Sequence, residues 1–334
     1  MNRANMKPKG WFSGIVNLDD LALNYKEETQ NDIYILLDDD FKNLVLDGAK
    51  RKFSSLNEAE RGLGSFIKHM NEKKKFYKTS FSNISNIMRI LGNEIQTGCI
   101  EAISTKNGAW GNLTNSLIGP KLPFNFNSEE GVRIICSILH DGGINSELNP
   151  NFTSEYVYFR RFFLKNLKTV FGDIKNISSN PIKYECITLP KIIGIILVYG
   201  LGLEYGKKVK TDPGIPEFIF DLPPVLKWSF VSQAIDEDGS VETEAKRIQI
   251  MHAVETGENN SKPPNLLTDT KKLIEDLNVD VTEPYLQSSY YVDEIRRERW
   301  AIRIRQRDLK NCWKNINLKL HYKNKNLNSL FLVN

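Results

Sequence analysis

Apolar positions first fall into a helical rhythm at Phe41. Phe41, Leu44, Val45 and Ala49 recur three and four residues apart, followed by Leu56, Ala59, Leu63, Phe66 and Ile67, and then by Ile84, Ile87, Met88 and Leu91. Gly62, Gly64 and Gly92 interrupt the rhythm, so several short helices are predicted rather than one long one. Residues 1–40 show no clear period and are expected to form a lead-in of uncertain structure. Gly108, Gly111, Gly119 and Pro120 mark a loop, which makes residues 41–119 a mainly helical N-terminal domain.

Beyond that loop one pattern occurs twice. In KLPFNFNSEEGVRIICSILHDGG, Asn127 or Ser128 can cap a helix whose first turn carries Glu129 and Glu130. Val132, Ile135, Cys136 and Leu139 form its apolar face, and His140, Asp141, Gly142 and Gly143 stop it. An extended segment at Ile144–Leu148, a helix over Glu155–Phe171, a strand alternating Ile182, Tyr184, Cys186 and Thr188, and an apolar helix Lys191–Tyr199 complete the unit. Pro223 and Pro224 then open a second helix that runs into Asp238-Gly239. In the extended run after it, Arg247, Gln249 and Met251 share one face and Ile248 and Ile250 the other. A helix over Leu266–Leu277 follows, and in WAIRIRQR Ile302 and Ile304 alternate with Arg303, Arg305 and Arg307. The reading is an α+β chain in which one αββαββα plan is used twice, over 120–222 and 223–330. Asp141 and Asp238 lie 97 residues apart (238 − 141), the length of one unit.

The balance of 45 Lys+Arg against 41 Asp+Glu is only mildly basic, so a polyanionic partner must be met by a local patch. One lies between Arg296 and Lys325, where eleven Lys/Arg face two acids, Glu298 and Asp308. A second cationic run, Lys68, Lys73, Lys74, Lys75 and Lys78, lies among the N-terminal helices. Two readings of it stand side by side. Either it belongs to a helix-turn-helix unit that sets Ser65, Lys68, His69 and the following lysines, Lys74 among them, at the major groove, or it is the solvated face of a small helical domain. Cys99, Cys136, Cys186 and Cys312 form no CxxC pair and support neither a zinc site nor a disulfide framework. The most apolar run, Ile192–Leu203, is too short to span a bilayer. A soluble, reducing, cytoplasmic setting without membrane contact is expected.

A carboxylate at the C-terminus of a helix faces the negative end of the helix dipole, and a bound cation reverses that penalty. If the two Asp-Gly helices pack side by side, the small residues Cys136, Ser137, Ser232 and Ala234 let their backbones approach, and Asp141 comes beside Asp238. Two such carboxylates call for a divalent ion, and an oxygen-rich set points to Mg²⁺ rather than zinc. A sheet after each Asp-Gly, apolar on one face and cationic on the other, would make a saddle for double-stranded DNA. Metal at its centre means phosphodiester hydrolysis.

In VSQAIDEDG (Val231–Gly239) and IICSILHDG (Ile134–Gly142), continued by GIN, the chain resembles the single-chain LAGLIDADG homing endonucleases of archaeal type. KLPFNF, the passage Gly206–Ile219 and the closing WAIRIRQRDLKNCWKNINL extend the resemblance over residues 120–330. It implies a monomer with an internal pseudo-dimer that makes a Mg²⁺-dependent double-strand break in a long asymmetric DNA site, each aspartate serving one strand. Asp141 and Asp238, the acids before each terminal glycine, would be catalytic, with Gly142 and Gly239 beside them in the metal set. A basic residue per half is also implied, Lys208 (or Lys207) in the first and Lys323 or Lys325 in the second. Arg247, Gln249, Arg303, Arg305, Arg307 and Lys207 are expected on DNA. Leu139 and His140 depart from the consensus Asp and Ala, and Gln233 replaces a usual glycine, which predicts looser helix packing there. His140 reads as a packing or DNA-flanking residue, His252 as a surface residue, and Asp236 and Glu237 as solvent-facing. The rival reading is a non-catalytic binder of the same fold, an RNA-splicing maturase or a transcription regulator, with intron RNA as a further candidate partner.

Overall fold

The computed structural model describes residues 13–64, 67, 70, 78–105, 116–175, 177, 183–255 and 261–332. The lead-in of uncertain structure takes regular form from its first described residues. It holds β1 (Ile15–Val16), α1 (Leu18–Thr29), which buries Leu18, Leu21, Ala22 and Tyr25, and β2 (Tyr34–Leu37). The helices read from the pattern follow as α2 (Asp39–Lys52), α3 (Leu56–Leu63) and α4 (Phe81–Leu91). Each starts on a side-chain cap, Asp38 accepting from the Phe41 N–H at 2.7 Å, Ser55 from Glu58 at 3.2 Å and Ser80 from Asn83 at 3.3 Å.

These helices do not make an all-helical module. Strands β3 (Lys78–Ser80), β4 (Ile100–Ser104) and β5 (Leu117–Ile118) run between and after them, and with β2 they form one antiparallel sheet. That sheet also crosses the expected boundary at residue 119. Its order is β3-β2-β4-β5-β9, and β9 (Asp173–Ile174) comes from the first repeat. β1 likewise pairs with β6 (Phe124–Asn125), and Tyr25 stacks edge-on against Tyr199 at 5.1 Å. Lys68 and Lys74, expected on DNA, lie outside the described residues.

The first repeat runs α5 (Glu129–Leu139), β7 (Gly142–Ile144), β8 (Pro150–Thr153), α6 (Val157–Phe171), β9, β10 (Cys186–Thr188) and α7 (Lys191–Ile195), which continues as one π-helical turn over Ile196–Gly200. After the short α8 (Lys208–Thr211), the second repeats the order as α9 (Pro224–Asp238), β11 (Gly239–Glu242), β12 (Arg247–Glu255), α10 (Asn265–Glu275), β13 (Tyr285–Val292), β14 (Ile295–Arg303), α11 (Leu309–Asn315) and α12 (His321–Leu332). The αββαββα plan of an α+β fold is thus present twice. Its sheets are unequal. The second is a four-stranded antiparallel sheet, β11-β12-β14-β13, whereas the first is three-stranded, β10-β8-β7, because β9 pairs elsewhere. At ~3.3 Å per residue the nine residues of β12 span ~30 Å and the four of β8 ~13 Å. One apolar core continues through the N-terminal region and both repeats. Among the described residues no helix is long and apolar enough to cross a membrane.

Candidate functional site

Helices α5 and α9 lie against each other at the centre of the molecule. Ser128 caps α5 through the Gly131 N–H at 3.1 Å, and Pro224 opens α9, where its missing N–H removes one of the donors a side chain would otherwise cap. The approach uses the small residues expected from the sequence. The Cys136 thiol donates to the Phe230 carbonyl at 3.4 Å, and Ser232 is fully buried, donating to the Trp228 carbonyl at 2.7 Å. Gln233 does not loosen this interface; it links the two helices. Its Oε1 accepts from Arg133 Nη1 at 2.9 Å, and its amide donates to Ser137 Oγ at 3.0 Å and Glu237 Oε1 at 2.8 Å. Arg133, almost wholly buried, also donates to Glu129 at 3.0 Å and the Asn317 carbonyl at 3.1 Å.

The ends of the two helices exchange contacts reciprocally. His140, the residue before Asp141, sets Nδ1 2.8 Å from Asp238 Oδ2, while Glu237, the residue before Asp238, accepts from the Asp141 N–H at 3.4 Å. Asp141 and Asp238 are therefore brought to one level, as expected. Each helix end also carries a lysine, half-buried at Lys208 and buried at Lys323. Lys208 donates to the carbonyls of Leu139, at 3.2 Å, and His140, and Lys323 donates to those of Ile235 at 2.9 Å and Asp236 at 2.6 Å. Both ammonium groups offset the negative dipole ends, and burial lowers the pKa of each. Lys325 and Lys207, the alternatives, are exposed.

Burial, and then the neighbouring charge of Asp238, raise the Asp141 carboxyl to about 6. Burial would raise Asp238 as well, but hydrogen bonds from His140 and His252 outweigh it and hold that carboxyl far below the usual range. Burial lowers the His140 imidazole against the pull of Asp238, and burial with the Asp141 charge pushes Glu237 well above its usual value. Asp236 and Glu237, expected to face solvent, are both engaged. Asp236 is 1% exposed and accepts from the Lys319 and Leu320 N–H groups at 2.7 and 3.0 Å, tying α9 to the turn before α12.

His252 is not a surface residue. Strand β12 places it on the same face as Ile248 and Ile250, with Nδ1 3.1 Å from the same Asp238 oxygen that His140 reaches. The donor set around Asp238 is thus one carboxylate and two imidazoles. Mg²⁺ takes oxygen ligands in near-ideal octahedra, whereas imidazole suits later divalent metals, so this set differs in chemistry from Asp141, Gly142, Asp238 and Gly239, where the sequence leads one to expect Mg²⁺. Gly142 and Gly239 open β7 and β11. A Cβ at Gly239 would stand 2.6 Å from the Ile235 Cα, and one at Gly142 2.6 Å from the Asn151 carbonyl. Close backbone approach, and not a positive φ, is what requires glycine there; φ at Gly239 is −97°.

The sheet of the second repeat presents a polar, cationic face away from the helices. Register places Gln249, Met251 and Ala253 of β12 opposite Arg303, Ala301 and Arg299 of β14, and Arg247 opposite Glu242 of β11, with Tyr285 and Tyr290 of β13 opposite Ala301 and Arg297. Arg303 lies over the Tyr285 ring at 4.7 Å and Arg299 over Tyr290 at 5.7 Å. Arg247 pairs with Glu242 at 2.6 Å. Gln249, expected on DNA, is instead 1% exposed, held by the Tyr285 hydroxyl at 2.9 Å and Arg303 Nε at 2.8 Å. Arg305 and Arg307 leave this face, because the strand ends at Arg303; Arg307 pairs with Asp280 in the following turn. Arg299 continues the alternation of the cationic strand, whereas Tyr285 and Tyr290, five residues apart, share this face only because the register shifts between Leu286 and Ser288, which alternation alone does not reveal.

No protein-family description matches the sequence, and no curated protein matches it. Among solved structures, the chain is similar to the N-terminal LAGLIDADG domain of DUF199/WhiA, with 16% identity and a TM-score of 0.30, over 62% of this chain and 90% of that one.

Proposed function

We propose that this chain binds double-stranded DNA across the β11–β14 face and hydrolyses phosphodiesters at the adjoining ends of α5 and α9, as a site-specific endonuclease of the LAGLIDADG homing kind. The observation that carries this reading is the reciprocal contact His140–Asp238 and Glu237–Asp141, which sets two acids of unlike halves at one level between the repeats. In this reading Asp141 accepts the proton of the attacking water. Lys208 and Lys323, already fixed on the helix-end carbonyls, offset charge on the phosphate in the transition state. Arg299, Arg303, Tyr285 and Tyr290 provide charge, hydrogen bonds and flat surfaces for backbone and bases, with the buried Gln249 holding Arg303 and Tyr285 in place. The unlike sheets favour an asymmetric site, read mainly by the second repeat.

The test is incubation of the full chain with candidate insertion-site duplexes and divalent cations. Cleavage by the wild type that either Asp141→Asn or Asp238→Asn abolishes is expected; cleavage that survives both changes sinks the assignment. A gene position inside an intron, with the exon junction as target, would tie the activity to homing. A second reading, binding of DNA or intron RNA without cleavage, is favoured by one observation: both imidazoles occupy the Asp238 oxygen that hydrolysis would use. Duplex retention without cleavage under every cation supplied would decide for it.

A further inference from the structure

The geometry points to a nitrogen-preferring divalent metal site formed by His140, Asp238 and His252, one per chain, suited to Zn²⁺ or Co²⁺ ahead of Mg²⁺. The three residues come from three rigid elements: the end of α5, the end of α9 and the strand β12, central in its sheet with β14. Nδ1 of His140 and Nδ1 of His252 stand 2.8 and 3.1 Å from the same oxygen of Asp238, and all three donor atoms lie within 4.8 Å of one another. Ligands held ~2.1 Å from one ion are separated by ~3.0 Å at a right angle and ~3.4 Å at the tetrahedral angle, so the two edges to Asp238 match a shared ion after shifts of a few tenths of an ångström, and the edge between the two imidazoles lies within 4.8 Å. Two imidazoles and one carboxylate converging from three directions also leave positions open for water or a phosphate oxygen.

Hydrogen bonds alone can have these lengths, and what distinguishes the arrangement is its charge. Asp238 ends a helix, at the negative end of the dipole, with the carboxyl groups of Asp141 and Glu237 beside it, and a divalent cation offsets all of these together. Access is open, since the Asp238 side chain keeps 25% and that of His252 13% of its surface exposed. The pseudo-symmetry limits the number of sites. The residue matching His140 in α9 is Glu237, and the register of Gly142 with Phe152 against Gly239 with Ile250 places Ser154 where the second half has His252. The Asp141 side therefore lacks both imidazoles.

The inference rests on the proposed hydrolytic site only for what the ion would do there; occupancy is read without DNA, so the two claims fail separately. The experiment is a Co²⁺ titration of the EDTA-dialysed full chain, followed by its visible d–d band, with Zn²⁺ and Mg²⁺ as competitors. One Co²⁺ per chain is expected, displaced by stoichiometric Zn²⁺ and unaffected by millimolar Mg²⁺. His252→Ala should weaken binding at least ~100-fold, since even outer-shell changes cost 10- to 100-fold. His252→Gln, with its fold checked by circular dichroism, repeats the test should the alanine variant misfold. No d–d band in the wild type, or equal affinity in folded His252 variants, would overturn the inference.

Discussion

Replacing Gln233 by leucine tests whether the α5–α9 interface is held by its buried polar network. The change nearly conserves volume and removes an acceptor from Arg133 Nη1 and a donor from both Ser137 Oγ and Glu237 Oε1. Ser137 still donates to Glu237 at 2.5 Å, so its loss is small. The stranded guanidinium donor, 1% exposed, costs ~1.5–3 kcal/mol and the under-bonded Glu237 oxygen ~1–3 kcal/mol. The apolar surface of leucine returns ~1 kcal/mol. A net loss of ~2–5 kcal/mol follows. Unfolding entropy for 334 residues is ~0.7 kcal/mol per kelvin if the chain melts as one unit, so the midpoint should fall by ~3–7 °C in calorimetry. Arg133→Met with Gln233→Leu replaces both partners by apolar groups and should recover at least ~1 kcal/mol relative to the sum of the single changes. A midpoint unchanged or raised in Gln233→Leu, or strict additivity in the double variant, would refute the network as the clamp.

Four further outcomes follow from the same geometry. Hydroxyl-radical footprints on a bound duplex should show continuous protection under the second repeat and a shorter tract under the first, and Arg299→Ala should lower the slope of log K against log salt by ~1, read by titration at several salt concentrations. Lys323→Met leaves the Ile235 and Asp236 carbonyls without their donor and should abolish cleavage while duplex binding, measured by anisotropy, stays within a few-fold. Cys186, exposed, should react with a disulfide reagent in the native protein, whereas Cys136 and Cys312, raised by burial and Cys312 to about 12, should react only after denaturation. Burial lowers the Lys78 ammonium from 10.5 to about 8, so between those values the unfolded chain binds more protons and stability rises with pH; Lys78→Met should flatten that rise in urea midpoints taken at pH 8 and pH 10.

The parts of the site that were legible in the sequence are those written locally. Asp141 and Asp238 follow from helices that stop at Asp-Gly, and the cationic strand face follows from alternation within WAIRIRQR. His252 was within reach of the same argument, since Ile248 and Ile250 fix the inward face of β12 and residue 252 continues it. The strands of the first repeat were harder. At two to four residues each they are shorter than any window in which a period of two can be counted, and β9 leaves its own repeat to pair with β5. The role of Gln233 was hidden for a different reason: a polar residue at a usual glycine reads as a packing defect until its partner Arg133, 100 residues away, is seen.

The same distance explains how two carboxylates can sit at the negative ends of two helices. Nothing adjacent in the sequence compensates them. Lys208 reaches the Leu139 carbonyl from 69 residues away and Lys323 the Ile235 carbonyl from 88, while His140 crosses to Asp238 from the other repeat. Each of these contacts alone would relieve one unfavourable end, but the carboxylates are treated unequally: Asp238 receives two imidazoles and Asp141 none. One carboxyl is therefore held ionised while the other rises to about 6. Two groups of one chemical type with pKa values driven apart by their surroundings is the arrangement that the proposed reading needs, with one acid to hold an ion and the other to accept a proton. A fully symmetric pair could not do so, and His140 before Asp141, matched by Glu237 before Asp238, together with His252, is what breaks the symmetry.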